Sequence, residues 1–569
     1  MKRFVSILVF GFLFINTIFG QIPARQISIR LVDSMPDMPG QYKMKDWKSI
    51  TRKQDSLFYN FNAKGRFLPI IWWDDSHTNF PIRSFGIPSY IGALNDKGTH
   101  YESLPAMGSI MSATLTGIDK SNYNGVDFVT MCRQFYNKKN GVGLIMNSVN
   151  RKPGQSFWYE IFPGMAFNMI VDKYPKEQGL SEIMKLNAVK WIEAVKGLSE
   201  GKQYPDFNYT SYNFDTHKGI FNGVWHEPDA AAGLAWIEFT AWKKFGDNRF
   251  IDAAKSCLEY LEHRPVHAGP FYELMMPYGA YLAVRLNAES GTKYDELKML
   301  NWCFDGNNSD RDGWGVMAGK WEGVSVDGLV GQKKYEQYAF AMNTFSQAAA
   351  LVPIVKYNPS YARTIGKWIL NLANSCRLFY ADEHPKNQQS SALWQGDPQH
   401  VICYEGLRKD LDHGNNFQVF KGILADKGPY AIGDQVKNET AFTDICPYGS
   451  AWVGLLASIV DTTNVKGILN LNCNATDFYA DNSFPSFLLY NPYSDKKIVQ
   501  IFIGKKDVDV YDRVSKKYID KNVHGTINID LAGNTALSAV LIPADMRTYR
   551  SGKKLIAGGH VVDFNYDDN

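Results

Sequence analysis

Acidic side chains recur just ahead of apolar stretches in this sequence, and Tyr or Trp stands beside the acid at five of these places. The helix dipole explains any single acid at a helix start, but it does not explain the aromatic neighbours. Two carboxyl groups across a glycosidic bond supply the proton donor and the base or nucleophile that hydrolysis requires. The segments are Glu102, Trp158-Tyr159-Glu160, Trp225-His226-Glu227-Pro228-Asp229, Tyr272-Glu273, Tyr335-Glu336-Gln337-Tyr338 and Asp444-Ile445-Cys446-Pro447-Tyr448.

Three of the acids are candidate catalytic groups. Glu227 and Asp229 lie in the densest segment, where Pro228 suits a first helical turn; Asp229 is equally suited to cap that helix. Glu405 lies between apolar residues in the long stretch 393–430. Such surroundings raise a carboxyl pKa, as a proton donor requires. We therefore expect Glu227 or Asp229 to act with Glu405.

Other side chains are candidate substrate contacts. The run from Trp72 to His77, followed by Arg83, is typical either of a ligand-binding loop or of a solvated turn beside core tryptophans. For an acidic substrate, Arg83, Arg408 and His400 are the expected cations. Glu273 and Glu336 are reserve acids. The predicted substrate contacts are Trp73, His77, Arg83, Trp158, Glu160, Trp225, His226, Glu273, Tyr278, Tyr338, Asn343, His400, Arg408 and Tyr448.

The elements that position these residues are predicted to be helices. From about residue 102 to 461 the apolar residues recur at helical spacing. Stretches that are apolar on all sides alternate with amphipathic ones, which indicates buried and outer helices in turn. The predicted fold class is mainly α, an (α/α)6 toroid whose inner helices begin at one end of the ring. The apolar stretches are 157–174, 228–245, 271–288, 336–355 and 445–460. Glu102 opens a further inner helix at 102–116, and the other predicted helices are 126–138, 180–197, 249–262, 294–303 and 361–378.

The two ends of the chain differ from this pattern. After about residue 464, short alternating runs separated by turn residues predict a C-terminal antiparallel β-sandwich. Lys2, Arg3, an apolar run at 4–19 and Gly20 are typical of a signal peptide, and a membrane anchor is the alternative. The predicted organisation is a signal peptide at 1–20, an N-terminal segment at 21–100, the toroid at 101–463 and the sandwich at 464–569. A periplasmic or secreted location follows.

Composition narrows the function further. The 61 basic and 58 acidic side chains nearly balance at net +3, and no basic run stands out, so a nucleic-acid partner is not expected. The seven Cys are scattered, which favours buried apolar positions and leaves one disulfide open. Since HExxH, zinc-type His/Cys spacing and nucleotide fingerprints are missing from the sequence, we expect no metal and no cofactor.

The sequence resembles the (α/α)6-toroid glycan-degrading enzymes of Bacteroidetes. The features that carry the resemblance are the helix alternation and the segments Trp158-Tyr159-Glu160-Ile161-Phe162-Pro163 and Tyr338-Ala339-Phe340-Ala341-Met342-Asn343-Thr344. These enzymes include exo-β-glucuronidases of glycoside hydrolase family 154 and unsaturated glucuronyl hydrolases. The resemblance covers about residues 60–460 and rests on architecture. It implies an exo-acting glycoside hydrolase, β-glucuronidase-like, that removes a terminal uronic acid from an oligosaccharide or polysaccharide.

Two alternatives remain open at this point. A polysaccharide lyase would need a Tyr or His base and a side chain that neutralises a carboxylate, for which Tyr278, His226, Asn343 and Arg83 are candidates. A non-catalytic glycan-binding protein would also use the aromatic residues, which form 14% of the chain. The number of acids ahead of the apolar stretches favours an enzyme.

Overall fold

The computed structural model describes residues 22–93, 102–306, 313–393, 401–411, 417–480 and 483–567. The predicted signal peptide lies outside these ranges. Within them the α-helices are α1 (Arg30–Asp33), α2 (Trp47–Phe58), α3 (Ser103–Leu115), α4 (Phe128–Met131), α5 (Phe157–Lys173), α6 (Gln178–Leu198), α7 (Ala230–Phe245), α8 (Asn248–His263), α9 (Met276–Ser290), α10 (Glu296–Asp305), α11 (Ala341–Leu351), α12 (Ile354–Tyr357), α13 (Ala362–Ser375), α14 (Pro447–Ser450) and α15 (Val453–Ile459).

Six of the described helices, named here the inner helices, contact one another in a closed cycle. The order is α3, α5, α7, α9, α11 and α15, and α15 packs back against α3. Their apolar composition follows from this burial, because an inner helix meets protein on every side. Small residues permit the close approach: a Cβ added at Gly108 would lie 2.7 Å from the ring of Trp452.

Further helices pack outside this cycle. Helix α6 contacts α5 and α7, α8 contacts α7, α10 contacts α9, and α13 contacts α11. Helix α2 contacts α3 and α15, so the N-terminal segment, which the sequence left unassigned, contributes an outer helix. The short helix α4 continues as the 3₁₀ turn Cys132–Phe135, which packs against α3. A mainly helical body agrees with the predicted class.

Several predicted helices differ in their bounds. The stretch 336–355 is helical only from Ala341, because Tyr338–Phe340 forms a strand that pairs with Gly406–Arg408. This pairing, between residues distant in sequence, overrides the local helical pattern. The stretch 271–288 begins its helix at Met276, and the stretch 126–138 contains only α4 and the 3₁₀ turn. The stretch 445–460 is divided between α14 and α15.

The described strands are antiparallel and fall into several small sheets and one larger one. They are β1 (Trp72–Asp74), β2 (Ser84–Gly86), β3 (Ser211–Asn213), β4 (Lys218–Ile220), β5 (Trp314–Val316), β6 (Lys320–Trp321), β7 (Val324–Ser325), β8 (Val330–Gln332), β9 (Tyr338–Phe340), β10 (Gly406–Arg408), β11 (Tyr430–Ile432), β12 (Val460–Thr462), β13 (Leu469–Asn472), β14 (Ser486–Tyr490), β15 (Lys497–Phe502), β16 (Val508–Asp512), β17 (Lys517–Val523), β18 (Thr526–Leu531), β19 (Ala536–Pro543), β20 (Thr548–Ser551), β21 (Lys554–Ala557) and β22 (His560–Asp563).

A five-stranded sheet stands at the N-terminal end of α11. Its strand order is β11-β10-β9-β8-β5, and β9 leads directly into α11. Glu405 immediately precedes β10. Its carbonyl accepts a hydrogen bond from the N–H of Ala341, the first residue of α11, at 3.0 Å. The sheet therefore delivers residues from distant parts of the chain to the start of an inner helix.

The C-terminal region is rich in sheet, as expected. A six-stranded sheet, ordered β12-β13-β14-β19-β16-β17, shares an apolar cluster with the two-stranded sheet β15-β18. Helix α13 packs against β14 and β19, so the sheets contact the helical body.

A buried polar network joins the sheet-rich region to the helices. Asp477 is fully buried and accepts hydrogen bonds from the hydroxyls of Tyr281 and Tyr357 and from the ammonium of Lys356. Arg285 of α9 donates to the carbonyls of Phe478 and Tyr479 at 2.9 and 2.8 Å. Charge pairing in the interior therefore ties the segment after β13 to α9 and α12.

All seven cysteines lie in the described ranges, are buried and form no disulfide. Along those same ranges, no helix is long and apolar enough to cross a membrane.

Candidate active site

A cavity of about 260 Å³ opens where most of the inner helices begin. Its wall combines carboxyl groups, aromatic rings and amides. Two depressions are larger, one of about 770 Å³ beside α2 and one of about 930 Å³ in the sheet-rich region, but lysines stand beside the aspartates in both. We therefore choose this cavity as the candidate active site for the side chains that line it and not for its volume. The lining residues are Tyr90, Glu102, Trp158, Tyr159, Glu273, Phe340, Met342, Asn343, Glu405, Gln435, Cys446, Tyr448 and Gly449.

Glu405 is held at the cavity by hydroxyl and amide donors. The Tyr90 hydroxyl donates to Oε1 at 2.8 Å, and the Tyr338 hydroxyl donates to Oε2 at 2.6 Å. The N–H of Asp434 also donates to Oε2 at 3.1 Å. Burial and the negative charge of Asp434 outweigh these donors and raise the pKa of Glu405 to about 7. Such a carboxyl group is suited to hold and release a proton near neutral pH.

Glu102 is the second carboxyl group at the cavity. It is the residue before α3, and its oxygens accept hydrogen bonds from the Ser89 hydroxyl and from Asn147 Nδ2, the latter at 2.7 Å. The sequence pattern included Glu102 among the acids but did not make it a candidate site residue.

Glu273 is the third carboxyl group, and its backbone is strained. Its φ is 61°, in the left-handed region that a non-glycine residue rarely adopts. Asn343 Nδ2, in the first turn of α11, donates to the Glu273 carboxylate at 2.8 Å and to its carbonyl at 3.0 Å. One amide therefore fixes both the backbone and the side chain of Glu273.

Aromatic rings complete the wall. The rings of Trp158 and Tyr159 stack with centroids 5.3 Å apart and planes 5° from parallel. Enclosure raises the pKa of Tyr159, and the negative charges of Glu102 and Glu273 raise it further. Enclosure followed by the same two charges also raises the pKa of Tyr448. Glu102 and Glu273 therefore both lie close enough to these two tyrosines to influence them, as expected of residues that line the same cavity.

The predicted catalytic residue Glu227 lies outside the cavity lining. It is fully buried, and its oxygens accept hydrogen bonds from the Ser156 hydroxyl, the Trp158 N–H and the Trp225 indole N–H, at 2.8 to 2.9 Å. This arrangement fixes the start of α5, and with it Trp158, against the segment before α7. The placement does not favour the predicted reacting role.

Asp229, the other predicted partner of Glu405, is also fully buried and outside the lining. It is the residue before α7, but its side chain makes no capping bond there. Its Oδ2 accepts a hydrogen bond from the Tyr272 N–H at 3.2 Å, and its Oδ1 finds no partner among the described residues. Burial, the charge of Glu227 and, more weakly, that of Glu273 raise its pKa well above the ordinary value.

Glu160 likewise points into protein. Its Oε1 accepts backbone N–H groups of Gly154 and Gln155 at 2.7 and 2.9 Å, and its Oε2 accepts the Ser211 hydroxyl at 2.6 Å. Burial raises the pKa of Glu160 to about 7.

The predicted cations are engaged elsewhere. Arg83 is exposed, pairs with Asp75 at 2.8 Å and stacks over Trp73, which itself stacks on Phe61. Arg408 is buried, pairs with Asp434 at 2.8 Å and stacks on the ring of Tyr338. His400 lies outside the described residues.

The remaining predicted contacts divide into two groups. Trp158, Glu273, Asn343 and Tyr448 line the cavity, and Tyr338 supports Glu405 from behind. Exposed His77, half-buried Trp225 and His226, and buried Tyr278 lie outside the lining. The sequence missed Tyr90 and Gln435, which lie in segments without periodic pattern.

The described lining carries three glutamates and no Lys, Arg or His. Across the described ranges, no group of three or more His, Cys, Asp or Glu side chains is arranged to hold a metal ion.

The sequence matches no protein-family model and no curated protein. Among solved structures, a GH127 β-L-arabinofuranosidase from Geobacillus stearothermophilus T6 is 10% identical, with 92% of this chain and 85% of that chain covered and a TM-score of 0.37. A family 76 glycoside hydrolase from a bovine Bacteroides thetaiotaomicron strain is 10% identical, with 73% of this chain and 76% of that chain covered and a TM-score of 0.40. A D-mannose isomerase is 11% identical, with 72% of this chain and 96% of that chain covered and a TM-score of 0.37. Likenesses this weak assign neither a family nor an activity.

Proposed function

We propose that this chain is a glycoside hydrolase built on an (α/α)6 toroid, with Glu405 as the proton donor. The observation that carries the proposal is the meeting of three carboxyl groups at one cavity, one of them with a pKa of about 7. The closed cycle of inner helices with helices packed outside it supports the toroid.

In the proposed reaction, protonated Glu405 donates to the oxygen of the leaving group. A second, ionised carboxylate attacks the anomeric carbon or activates water. We assign this role to Glu273, since backbone strain of the kind found there persists at functional sites where the surroundings hold it. Glu102 then accepts hydrogen bonds from sugar hydroxyls, and the Trp158–Tyr159 stack offers an aromatic wall to a sugar ring.

The charge of the cavity bears on which sugar is removed. A terminal uronic acid, as predicted from the resemblance, would bring a carboxylate to a wall that already carries three glutamates. Two like charges about 5 Å apart repel by about 3 kcal/mol at an effective dielectric constant of about 20. The described lining therefore favours a terminal sugar without a carboxylate, and the uronic acid stays a prediction. The cavity is close to the small end of ligand pockets, which suits removal of a terminal unit.

The lyase alternative has less support. Of its predicted residues only Asn343 lines the cavity, while Tyr278, His226 and Arg83 lie elsewhere. No base and carboxylate-neutralising pair from that set is brought together.

The test is mass spectrometry of matched oligosaccharides, capped with neutral, amino or uronic sugars, after incubation with the protein. We expect fragments whose masses sum to the substrate plus one water, from a neutral or amino cap. Fragments that sum to the substrate alone, with new ultraviolet absorbance, would mean elimination. Intact substrates that nevertheless bind would replace the enzyme proposal with a glycan-binding role.

A further inference from the structure

The strained backbone of Glu273 needs support from its neighbours. A left-handed conformation costs a residue with a side chain roughly 1–2 kcal/mol. It persists only where surrounding contacts over-determine it. Residues at the starts of two inner helices, α7 and α11, contact this segment.

The chain is tied to different helices on the two sides of Glu273. On the following side, Asn343 of α11 donates to the Glu273 carbonyl at 3.0 Å. On the preceding side, one peptide further from Glu273, Asp229 accepts a hydrogen bond from the Tyr272 N–H at 3.2 Å. Asp229 stands at the start of α7 but leaves that helix uncapped, so its side chain serves the segment before α9 instead.

Asp229 has the surroundings of an uncharged acid. It is fully buried, and one oxygen has no hydrogen-bond partner among the described residues. Burial raises its pKa, and the negative charges of Glu227 and, more weakly, Glu273 raise it further. An ionised carboxylate there would face two like charges, whereas a neutral carboxyl group accepts the Tyr272 N–H without repulsion.

We propose that Asp229 is a positioning residue, a buried carboxyl group that holds the Tyr272 N–H, fixes the backbone before Glu273 and aims the Glu273 carboxylate into the cavity. The proposal rests on the proposed function for the role of Glu273, but not for the backbone contact. Asp229 itself touches no substrate and transfers no proton.

The kinetic test compares Asp229→Asn, Asp229→Ala and a control, Glu238→Gln. Asn keeps the acceptor oxygen without charge, so its kcat is expected within about threefold of wild type, whereas Ala frees the Tyr272 N–H and lowers kcat about 100-fold with little change in KM. Glu238 is another buried acid, inside α7 and outside the cavity lining, and its variant controls for the loss of a buried carboxyl group near Asp229 in sequence. An inactive Asn variant, or an Ala variant no worse than the control, would overturn the proposal.

Amide hydrogen exchange tests the contact without any substrate. In Asp229→Ala the Tyr272 amide is expected to exchange at least about tenfold faster, and in Asp229→Asn and Glu238→Gln it is expected to stay near the wild-type rate. Unchanged exchange in the Ala variant would overturn the positioning role. If exchange behaves as expected but no glycoside is cleaved by any form, the proposed function fails and the backbone role of Asp229 stands.

Discussion

Two segments near the starts of inner helices each contain a glutamate with a pKa raised to about 7, yet their surroundings differ. Glu160 is fully buried, and backbone N–H groups and the Ser211 hydroxyl occupy its oxygens. Glu405 is held by two tyrosine hydroxyls and opens onto the cavity. A raised pKa alone therefore does not identify a reacting group. Access to a cavity distinguishes the two.

The largest expected effect comes from removing the titratable proton at each glutamate. Glu405→Gln is expected to lower kcat about 1,000-fold or more, because the leaving oxygen loses its proton donor. The matched variant Glu160→Gln is expected to keep kcat within about fivefold of wild type, since Glu160 contacts only protein. Steady-state kinetics below the unfolding temperature, with circular dichroism to check the fold, make the comparison. An equal loss of kcat in both variants would mean that access to the cavity does not distinguish Glu405 from Glu160.

The pH dependence of activity sharpens the same comparison. Glu405 must be protonated to donate, so kcat/KM is expected to fall as the pH rises above about 7, by about tenfold per pH unit once Glu405 is mostly ionised. The Glu160→Gln variant is expected to keep this alkaline limb, because the ionisation of Glu160 takes no part in the reaction. An alkaline limb that is lost in Glu160→Gln, or a wild-type profile that stays flat to pH 9, would contradict the assignment.

The smallest effect concerns an acid that no donor stabilises. Glu238 is fully buried, its oxygens have no hydrogen-bond partner in the described part of the chain, and burial raises its pKa well above 4.5. The unfolded chain releases this proton above its ordinary pKa while the fold retains it, so stability falls as the pH rises. In Glu238→Gln the free energy of unfolding, relative to wild type, is expected to grow as the pH rises above about 4.5, by at most about 1.4 kcal/mol per pH unit.

Urea unfolding at several pH values measures this difference. Glu182→Gln, at an exposed position of α6, is the control for replacing a glutamate that is not buried. A difference for Glu238→Gln that stays constant with pH would mean that Glu238 ionises in the fold as it does in the unfolded chain.

Much of the helical body could be predicted, because a buried helix face requires apolar residues at helical spacing in the sequence. The stretches apolar on all sides correspond to inner helices, with bounds shifted where tertiary contacts intervene, as at β9. Glu405 was marked by its apolar neighbours and does lie at the cavity. Its partner Tyr90 could not be predicted, because the two are 315 positions apart and meet only through the fold.

The segment Trp225–Asp229 shows why density of chemical groups misleads. It holds two acids, a histidine and a tryptophan within five residues, but Ser156, 71 positions from Glu227, supplies a donor that occupies Glu227. Whether an acid faces solvent or protein depends on such partners, and one sequence does not contain their distances.

The buried Asp477 makes the two parts of the molecule inseparable. Its carboxylate is the counter-charge for Lys356 and Arg285, which belong to the helical body. Cutting the chain ahead of the sheets would remove this carboxylate from Lys356 and from Arg285, although Arg285 also pairs with Glu289 of its own helix. The sheet-rich region therefore could not be transferred by recombination to a different helical body without loss of these contacts. Any exchange would have to carry the matching helices, including Arg285, whose acceptor Phe478 lies 193 positions further along the chain.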